Sequence, residues 1–467
     1  MENSKKLEKI YLVIGLGKSG YWAAKFLKSE GKRVIILEEK TNEKLKFFKK
    51  DLENIGAEVF LNTPFEYKII SKWIENLYCV ILSPAIHIDN ETVIKLKKEG
   101  IKVLGEINIA WSNLLDTKWV GITGTNGKTT VTHLLSHILC QNNLKAPAGG
   151  NIGIPICKYA HDVKNKAEID WIIAELSSYQ IEIANEIKPK IGIWTTFTPD
   201  HLDRHKTLDN YFNIKNNLLL GSEIRIYNYD DDYLKSHRYS LAKGIWISTE
   251  SKNNKFCDYW IDSDGYVIES GKLLFNSKVF KLKGNHNIQN LLLATAAARR
   301  IGISGNNIMH SLKNYKQLPH RLETIYKSNN IEIINDSKAT NFDSSIAGIK
   351  SVKDQQILIA GGIIKKGNYA LWAKTILEKS KGVFLFGESA NKLKGILQKY
   401  GFKEDIFIYS ELNELIPNAL KYLKNSDVKI LLFTPSCSSF DQFRNYEERG
   451  NFFKNCIYKY LPSQELF

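Results

Sequence analysis

The segment Gly121-Ile-Thr-Gly-Thr-Asn-Gly-Lys-Thr-Thr130 combines glycines, a lysine and hydroxyls directly behind an apolar run, Trp119-Val-Gly-Ile122. Those residue types suit a loop that cradles phosphates. Glycines let backbone N–H groups turn inward, a lysine supplies a point charge to the β- and γ-phosphates, and a neighbouring hydroxyl can hold Mg²⁺. The spacing departs from the common pattern of a glycine, four free positions and Gly-Lys-[Ser/Thr]. Counting back from Gly127-Lys128-Thr129 puts Ile122 where that glycine belongs. The segment is therefore either a nucleotide site of a different design or a glycine-rich turn beside a lysine. An apolar helix expected over Val131 to Cys140 follows it.

Parts that a phosphate loop needs stand downstream. Trp171-Ile-Ile-Ala-Glu175 reads as an apolar strand ending in a carboxylate, the usual place for an Mg²⁺-binding acid. Thr198-Pro-Asp-His-Leu-Asp-Arg204 follows another apolar strand, Ile191 to Phe197. A lone histidine is usually structural, but His201 between Asp200 and Asp203 is also a metal candidate. In the helix expected over Leu208 to Leu220, Lys215 falls on the apolar stripe of Leu208, Tyr211, Phe212 and Leu219. It either snorkels to solvent or is held facing the metal site.

A second phosphate-binding pattern opens the chain. Gly15-Leu-Gly-Lys-Ser-Gly20 follows the strand Tyr11 to Ile14, opens a helix, and has Glu38 at the end of the next strand. That context suits a dinucleotide or another nucleotide diphosphate, with Glu38 accepting a ribose hydroxyl; a tight strand-to-helix turn without ligand is the alternative. Further on, Gly284-Asn-His-Asn-Ile-Gln-Asn290 places Asn287 and Asn290 on one helix face. Asn335-Asp-Ser-Lys-Ala-Thr-Asn341 offers a carboxylate, a cation and hydroxyls at a strand's carboxyl end, where open α/β sheets bind ligands.

The elements that must hold these residues alternate strand and helix along the whole chain. At 467 residues, length alone suggests about three domains. Strands are expected at Tyr11–Ile14, Val34–Leu37 and Tyr78–Leu82, then in a block beginning near Trp119 with a strand-rich insertion from 224 to 282 and a helix Asn287 to Arg300. A third block begins near Leu318-Pro-His-Arg321, with strands at 331–334, 357–360, 383–386 and 429–433. Parallel α/β sheets follow from that alternation. Hydrophobic residues at 43% and charged residues at 25% describe a soluble globular chain. No apolar run approaches the roughly 18 residues of a membrane span, and the N-terminus lacks a signal-peptide core, so a cytoplasmic location without membrane insertion is expected. The six cysteines form no Cys-x-x-Cys pair, which argues against zinc and a disulfide framework and for buried reduced thiols. The net charge of +15 comes from scattered lysines, without an arginine-rich block, so nucleic acid is not the expected partner.

Together, Gly124-Thr-Asn-Gly-Lys-Thr129, Gly150-Asn-Ile-Gly153, Glu175-Leu-Ser-Ser178, Asp200-His-Leu-Asp203, the His286 to Asn290 cluster and Leu318-Pro-His-Arg321 resemble the Mur ligases. These are ATP-dependent amide-forming enzymes of peptidoglycan precursor synthesis, and the resemblance covers the whole chain. In that family the phosphate loop is shortened, with its glycine at the place of Gly124. The segments 335–341 and Pro435-Ser-Cys-Ser-Ser-Phe-Asp-Gln-Phe-Arg-Asn-Tyr-Glu-Glu-Arg-Gly450 look most like the branch that adds D-glutamate to UDP-N-acetylmuramoyl-L-alanine.

The resemblance implies three α/β domains: a Rossmann-like UDP-substrate domain over 1–105, a central P-loop-type ATPase domain with a mostly parallel sheet over 106–316, and a C-terminal Rossmann-like amino-acid domain over 317–467. It implies ATP contacts from Gly124, Thr125, Asn126, Gly127, Lys128, Thr129, Thr130, Asn287, Asn290, Arg321 and Asp336. Two Mg²⁺ sites would use Thr129 and Glu175, then His201 and Lys215, the lysine carrying a CO₂-derived carbamate. Lys128, His201 and Lys215 would be the catalytic residues. The UDP-substrate would meet Gly15, Leu16, Gly17, Lys18, Ser19, Glu38, Ser83 and Asn151. D-Glutamate would meet Lys338, Thr340, Lys366, Ser439, Phe440 and Tyr446, with Lys365 the alternative to Lys366. A monomer acting on small molecules is implied.

Three places depart from the family pattern. Ser83-Pro-Ala85 replaces Ser-Pro-Gly, the turn Gly361-Gly-Ile-Ile-Lys-Lys-Gly367 lacks an aspartate before its lysine, and Glu38-Glu-Lys40 replaces an aspartate-containing segment. Other classes compete on fewer residues. A sister ligase would not need the first glycine pattern, an NAD oxidoreductase leaves Lys128, Glu175 and Lys215 unexplained, and a nucleic-acid-stimulated NTPase or a scaffold lacks a matching motif.

Overall fold

A computed structural model describes residues 9–184, 186–282, 284–328, 331–365 and 367–461. Three sheets organise them. The first runs Glu58–Phe60, Arg33–Leu37, Ile10–Ile14, Leu77–Leu82, Lys102–Leu104, all parallel. Its central strands are apolar throughout because helices cover both faces. The chain winds outward from Ile10–Ile14 in one direction, then returns to its other side at Leu77–Leu82. The reversal opens a crevice at the carboxyl ends of those two strands, where Gly15–Gly20 and Ser83–Ile86 emerge.

The second sheet has nine strands. Lys118–Thr123 lies between Ile191–Trp194 and Trp171–Glu175, with Ala148–Gly150 at one edge. The expected strand-rich insertion is the other half of this same sheet: Ile224–Asn228, Ile245–Ser248 and Tyr259–Ile261 extend it in parallel, and Tyr266–Glu269 and Lys272–Asn276 close it as antiparallel strands. The third sheet runs Glu323–Lys327, Glu332–Asn335, Ile430–Ser436, Gln356–Gly361, Ser380–Phe386, Asp405–Tyr409, antiparallel only at its first pairing.

By packing, the chain forms two compact units. One contains the first two sheets, and the other contains the third sheet together with 198–200 and 277–289. Two expected elements differ in extent. The helix after the phosphate loop begins at Lys128, because Gly127 in a left-handed conformation starts it three residues earlier than its apolar run. The strand from Ile191 stops at Trp194, where Thr195 turns to bond with the phosphate loop. The cysteines are not uniformly buried: Cys140 is exposed and Cys456 half-buried. Among the described residues, no helix is long and apolar enough to cross a membrane.

Candidate functional site

The phosphate loop leaves the middle of the second sheet. Ile122 is still strand, paired with Glu175 and Ile193, so no glycine is needed there. The need falls at Gly124, with φ +144°, where a Cβ would stand 2.0 Å from Thr195 Oγ1. It falls again at Gly127, with φ +83°, where a Cβ would stand 2.6 Å from Asn290 Oδ1. The neighbouring 195–196 segment fixes the loop. Thr125 N donates to Thr196 O at 2.8 Å, Asn126 N donates to Thr196 Oγ1 at 3.0 Å, and Thr195 Oγ1 donates to Asn126 O at 2.5 Å. Lys128 opens the helix Lys128–Cys140, and its ammonium donates to the carbonyls of Gly124 at 2.8 Å and Thr125 at 2.9 Å. Thr129 and Thr130 are buried in the first turn. A helix N-terminus with a lysine folded over its loop is a ready anion site.

Glu175 ends the adjacent strand and is buried. Its Oε1 accepts from Asn151 Nδ2 at 2.9 Å, while Oε2 is buried with no hydrogen-bond partner among the described residues. Asn151 N also donates to the Glu175 carbonyl at 2.8 Å, so the expected substrate contact and the expected metal ligand share one support. An acceptor-only oxygen left unmet in the interior is costly, and a hard cation is the partner that suits it. The residues therefore fit Mg²⁺ at Glu175.

Lys215 does not snorkel. It lies in the helix Leu208–Gly221 and is 1% exposed. Its Nζ donates to Gly124 O at 2.9 Å and to Thr123 Oγ1 at 3.4 Å, and stands 4.7 Å from the centroid of the Tyr211 ring. The Tyr211 hydroxyl is 3.2 Å from Thr125 Oγ1, so this helix is built against the phosphate loop. His201 is exposed, has φ +55° and precedes the short helix Leu202–His205. Its Nδ1 is 2.9 Å from the Tyr179 hydroxyl. Among the described residues, no three His, Cys, Asp or Glu side chains are grouped as a metal site. The expected ligand set, one carboxylate, one imidazole, a hydroxyl and a lysine, is not of that type.

At the first sheet, Gly15 has φ +90° and a Cβ there would be 3.0 Å from Ser83 Cβ. Gly20 packs on the Gly15 carbonyl, 2.0 Å from where its Cβ would be, whereas Gly17 faces open space. Lys18 and Ser19 form the first turn of the helix Lys18–Ser29. Glu38 Oε2 accepts from Leu16 N at 2.6 Å and Oε1 from Lys40 N at 3.0 Å. The carboxylate thus closes the glycine loop upon itself, and a ribose hydroxyl would share its remaining lone pairs.

In the second unit, Asp336 lies at the carboxyl end of Glu332–Asn335 and accepts from Leu322 N and Thr434 Oγ1, each at 3.2 Å. Burial pushes its carboxyl up to about 7. Arg321 has a buried Nη2 with no hydrogen-bond partner among the described residues, a donor that suits an anion's oxygen. Burial, with the Arg321 charge second, lowers the His286 imidazole to about 4. Asn287 and Asn290 are buried on the helix Asn285–Ile301.

The Lys338 ammonium lies 4.0 Å from the centroid of the Tyr446 ring, Thr340 N donates to Lys338 O at 2.8 Å, Ser439 is buried and Phe440 is 70% exposed. Lys365 is 3.7 Å from Asp200, within the same unit. Lys366 lies outside the described residues. Arg449, fully buried, ties the two loops of this cluster together by donating to Ser337 O at 2.8 Å and Cys437 O at 3.0 Å. Neither it nor Tyr179 and Glu182 was singled out in the sequence, where Tyr211 figured only as part of an apolar stripe. Each acts through partners distant in the chain, and no local spacing marks them.

The Mur ligase middle domain matches residues 122–298, and the Mur ligase glutamate ligase domain matches residues 320–437. A UDP-N-acetylmuramoylalanine–D-glutamate ligase from Prochlorococcus marinus strain MIT 9515 is 59% identical, covering 98% of this chain and 96% of the relative. The corresponding ligase from strain MIT 9312 is 60% identical, covering 97% of each. Among solved structures, the UDP-N-acetylmuramate-alanine ligase MurC of Thermotoga maritima shares the fold, with a TM-score of 0.61 at 18% identity over 98% of this chain and 100% of that one. Two family models that together cover more than half of the chain, and relatives near 60% identity along nearly its whole length, show that the chain belongs to the Mur ligase family.

Proposed function

We propose that this chain is the ATP-dependent ligase that joins D-glutamate to UDP-N-acetylmuramoyl-L-alanine in the cytoplasm, acting as a monomer on small molecules. The observation that carries the reading is full-length identity of 59% to a ligase of that name, combined with a phosphate loop, Glu175 and Lys215 built around one another.

The L-alanyl carboxylate attacks the γ-phosphorus of ATP and expels ADP, leaving an acyl phosphate. The deprotonated amine of D-glutamate then attacks the acyl carbon, and the tetrahedral intermediate collapses to amide and phosphate. Lys128 and the N–H groups of Gly127 to Thr130, at the opening of the helix, hold the β- and γ-phosphates and meet the charge that builds on the bridging oxygen, with Gly124, Thr125 and Asn126 shaping the loop around them. Asn287, Asn290, Arg321 and Asp336 hold the rest of ATP. Thr129 and Glu175 would bind one Mg²⁺, and His201 with a carbamate on Lys215 a second; bound Mg²⁺ supplies charge neutralisation to the transferred phosphoryl group. Gly15 to Ser19, Glu38, Ser83 and Asn151 receive the UDP-substrate. Lys338, Thr340, Lys366, Ser439, Phe440 and Tyr446 receive the two D-glutamate carboxylates. Holding three reactants in line is the main source of rate, since alignment alone can contribute about 7–11 kcal/mol.

The test is ADP release with UDP-N-acetylmuramoyl-L-alanine, ATP, Mg²⁺ and each candidate amino acid. Release is expected only when the uridine substrate and D-glutamate are both present. Release with a different amino acid would move the chain to a sister specificity, and its absence from folded protein would overturn the ligase reading.

A further inference from the structure

Arg204 follows the His201 turn and is 7% exposed, yet its guanidinium reaches a turn of the first sheet. Nη1 donates to Pro84 O at 2.7 Å and Nη2 to Ile86 O at 3.1 Å. Those carbonyls belong to the Ser83–Ile86 turn at the crevice of the first sheet. The remaining donors meet Glu182 Oε2, from Nε at 3.1 Å and from Nη2 at 2.7 Å. Glu182 is half-buried in the helix Ser178–Ile183 beside the second sheet, its side chain 8% exposed. Burial alone would raise the Glu182 carboxyl, but hydrogen bonds from His205 and Arg204 outweigh it and hold the group below its ordinary value.

The guanidinium also lies 4.1 Å from the centroid of the Tyr179 ring, and the Tyr179 hydroxyl is 2.9 Å from His201 Nδ1. One side chain therefore touches the turn expected to receive the uridine nucleotide and the tyrosine that orients the expected metal histidine. The His201 turn is strained, with non-glycine φ values of +55° at His201 and +67° at Lys206. Such a conformation persists only where its surroundings fix it. A buried ion pair is weak evidence of added stability, because desolvation offsets its attraction. Its geometry is what matters here: a planar fork with fixed donors holds two carbonyls and a carboxylate at once, which a lysine cannot do.

We propose that Arg204 is a positioning residue that couples the nucleotide turn Ser83–Ile86 to the presentation of His201, so that filling the uridine site and completing the phosphoryl-transfer site are one event. The proposal rests on the ligase reading above. The coupling is reciprocal and has a measurable size, the factor by which one ligand tightens the other.

The experiment is calorimetric titration of Mg²⁺ with a non-hydrolysable ATP analogue, with and without saturating UDP-N-acetylmuramoyl-L-alanine, on wild type, Arg204→Met, Arg204→Lys and Glu182→Gln. Wild type should show tightening of about 5-fold or more, and Arg204→Met less than about 2-fold. Arg204→Lys and Glu182→Gln should fall between. In EDTA, Arg204→Met should also weaken the UDP-substrate alone, because its turn has lost two donors. A merely structural role would lower the melting temperature and leave the coupling factor unchanged, and that result overturns the proposal. If Arg204→Met does not fold, Arg204→Lys decides: a coupling factor below that of wild type supports the proposal, and an unchanged factor overturns it. Wild type that joins D-glutamate but shows no coupling sinks the Arg204 proposal alone. Wild type that binds neither ligand and joins nothing sinks the function beneath it.

Discussion

Lys128 and Lys215 both donate to the carbonyl oxygen of Gly124, at 2.8 and 2.9 Å. Two ammonium groups sharing one acceptor repel each other, and burial sharpens the repulsion. A carbamate on Lys215 would reverse the sign of one of them, which is a physical reason for that modification at that position. Lys128→Ala and Lys215→Ala should each lower turnover by about three orders of magnitude while circular dichroism and the melting profile stay those of a folded protein. Wild-type rate should fall in bicarbonate-depleted buffer and return on adding bicarbonate, whereas Lys215→Ala should not respond. Normal turnover by folded Lys215→Ala would remove the lysine from the mechanism. Lys215 was legible because a cation on an apolar stripe contradicts the pattern around it. Arg204 was not, because Pro84 and Ile86 are 120 and 118 residues away and nothing local encodes the meeting.

Elements were legible in proportion to their length and burial. Trp171–Glu175 occurs as the sequence predicts, and the long buried strands of all three sheets fall within a few residues of their apolar runs. Short edge strands were missed. Glu58–Phe60 buries only its middle residue, Ala148–Gly150 carries two glycines and reads as a turn, and Asp405–Tyr409 is half-exposed. The first two, at three residues each, contain less than two periods of alternation, so periodicity cannot mark them, and the third lacks a clean buried face. The glycine loop of the first sheet was legible as a motif but not as a function, and its three glycines separate the two readings. Gly20→Ala drives a Cβ to 2.0 Å from the Gly15 carbonyl and should cost about 1–3 kcal/mol of stability. Gly17→Ala meets nothing within 4 Å and has no positive φ, so the melting temperature should hold. If the backbone there faces a pyrophosphate, Gly17→Ala should still raise KM for the UDP-substrate several-fold and leave KM for ATP alone. Unchanged kinetics in both would return the loop to a ligand-free turn.

At the scale of the whole molecule, the joint between the first two sheets holds a carboxyl in an unusual place. Glu106 follows the last strand of the first sheet, in the helix Glu106–Asn113, and is 3% exposed. Its Oε1 accepts from Cys157 N at 2.5 Å, at the head of the helix Ile156–Lys164, and its Oε2 has no hydrogen-bond partner among the described residues. Burial raises this carboxyl from 4.5 to about 7, with the Cys157 hydrogen bonds opposing. The fold therefore binds a proton that the unfolded chain releases near 4.5. Stability from this group is fully present below that value and is lost as pH rises through about 7. The shift corresponds to about 3 kcal/mol between those limits. Asp336, also raised to about 7, and Asp231, raised to about 6, act in the same direction. Wild type should thus melt at progressively lower temperature from pH 5 to pH 8. Glu106→Gln keeps an oxygen acceptor for Cys157 N and cannot ionise, so it should flatten part of that slope and be more stable than wild type at pH 8. Calorimetric scans at four pH values would decide it. If the two proteins lose stability in parallel, Glu106 is not titrating in the joint, and the pH dependence belongs to Asp231 and Asp336.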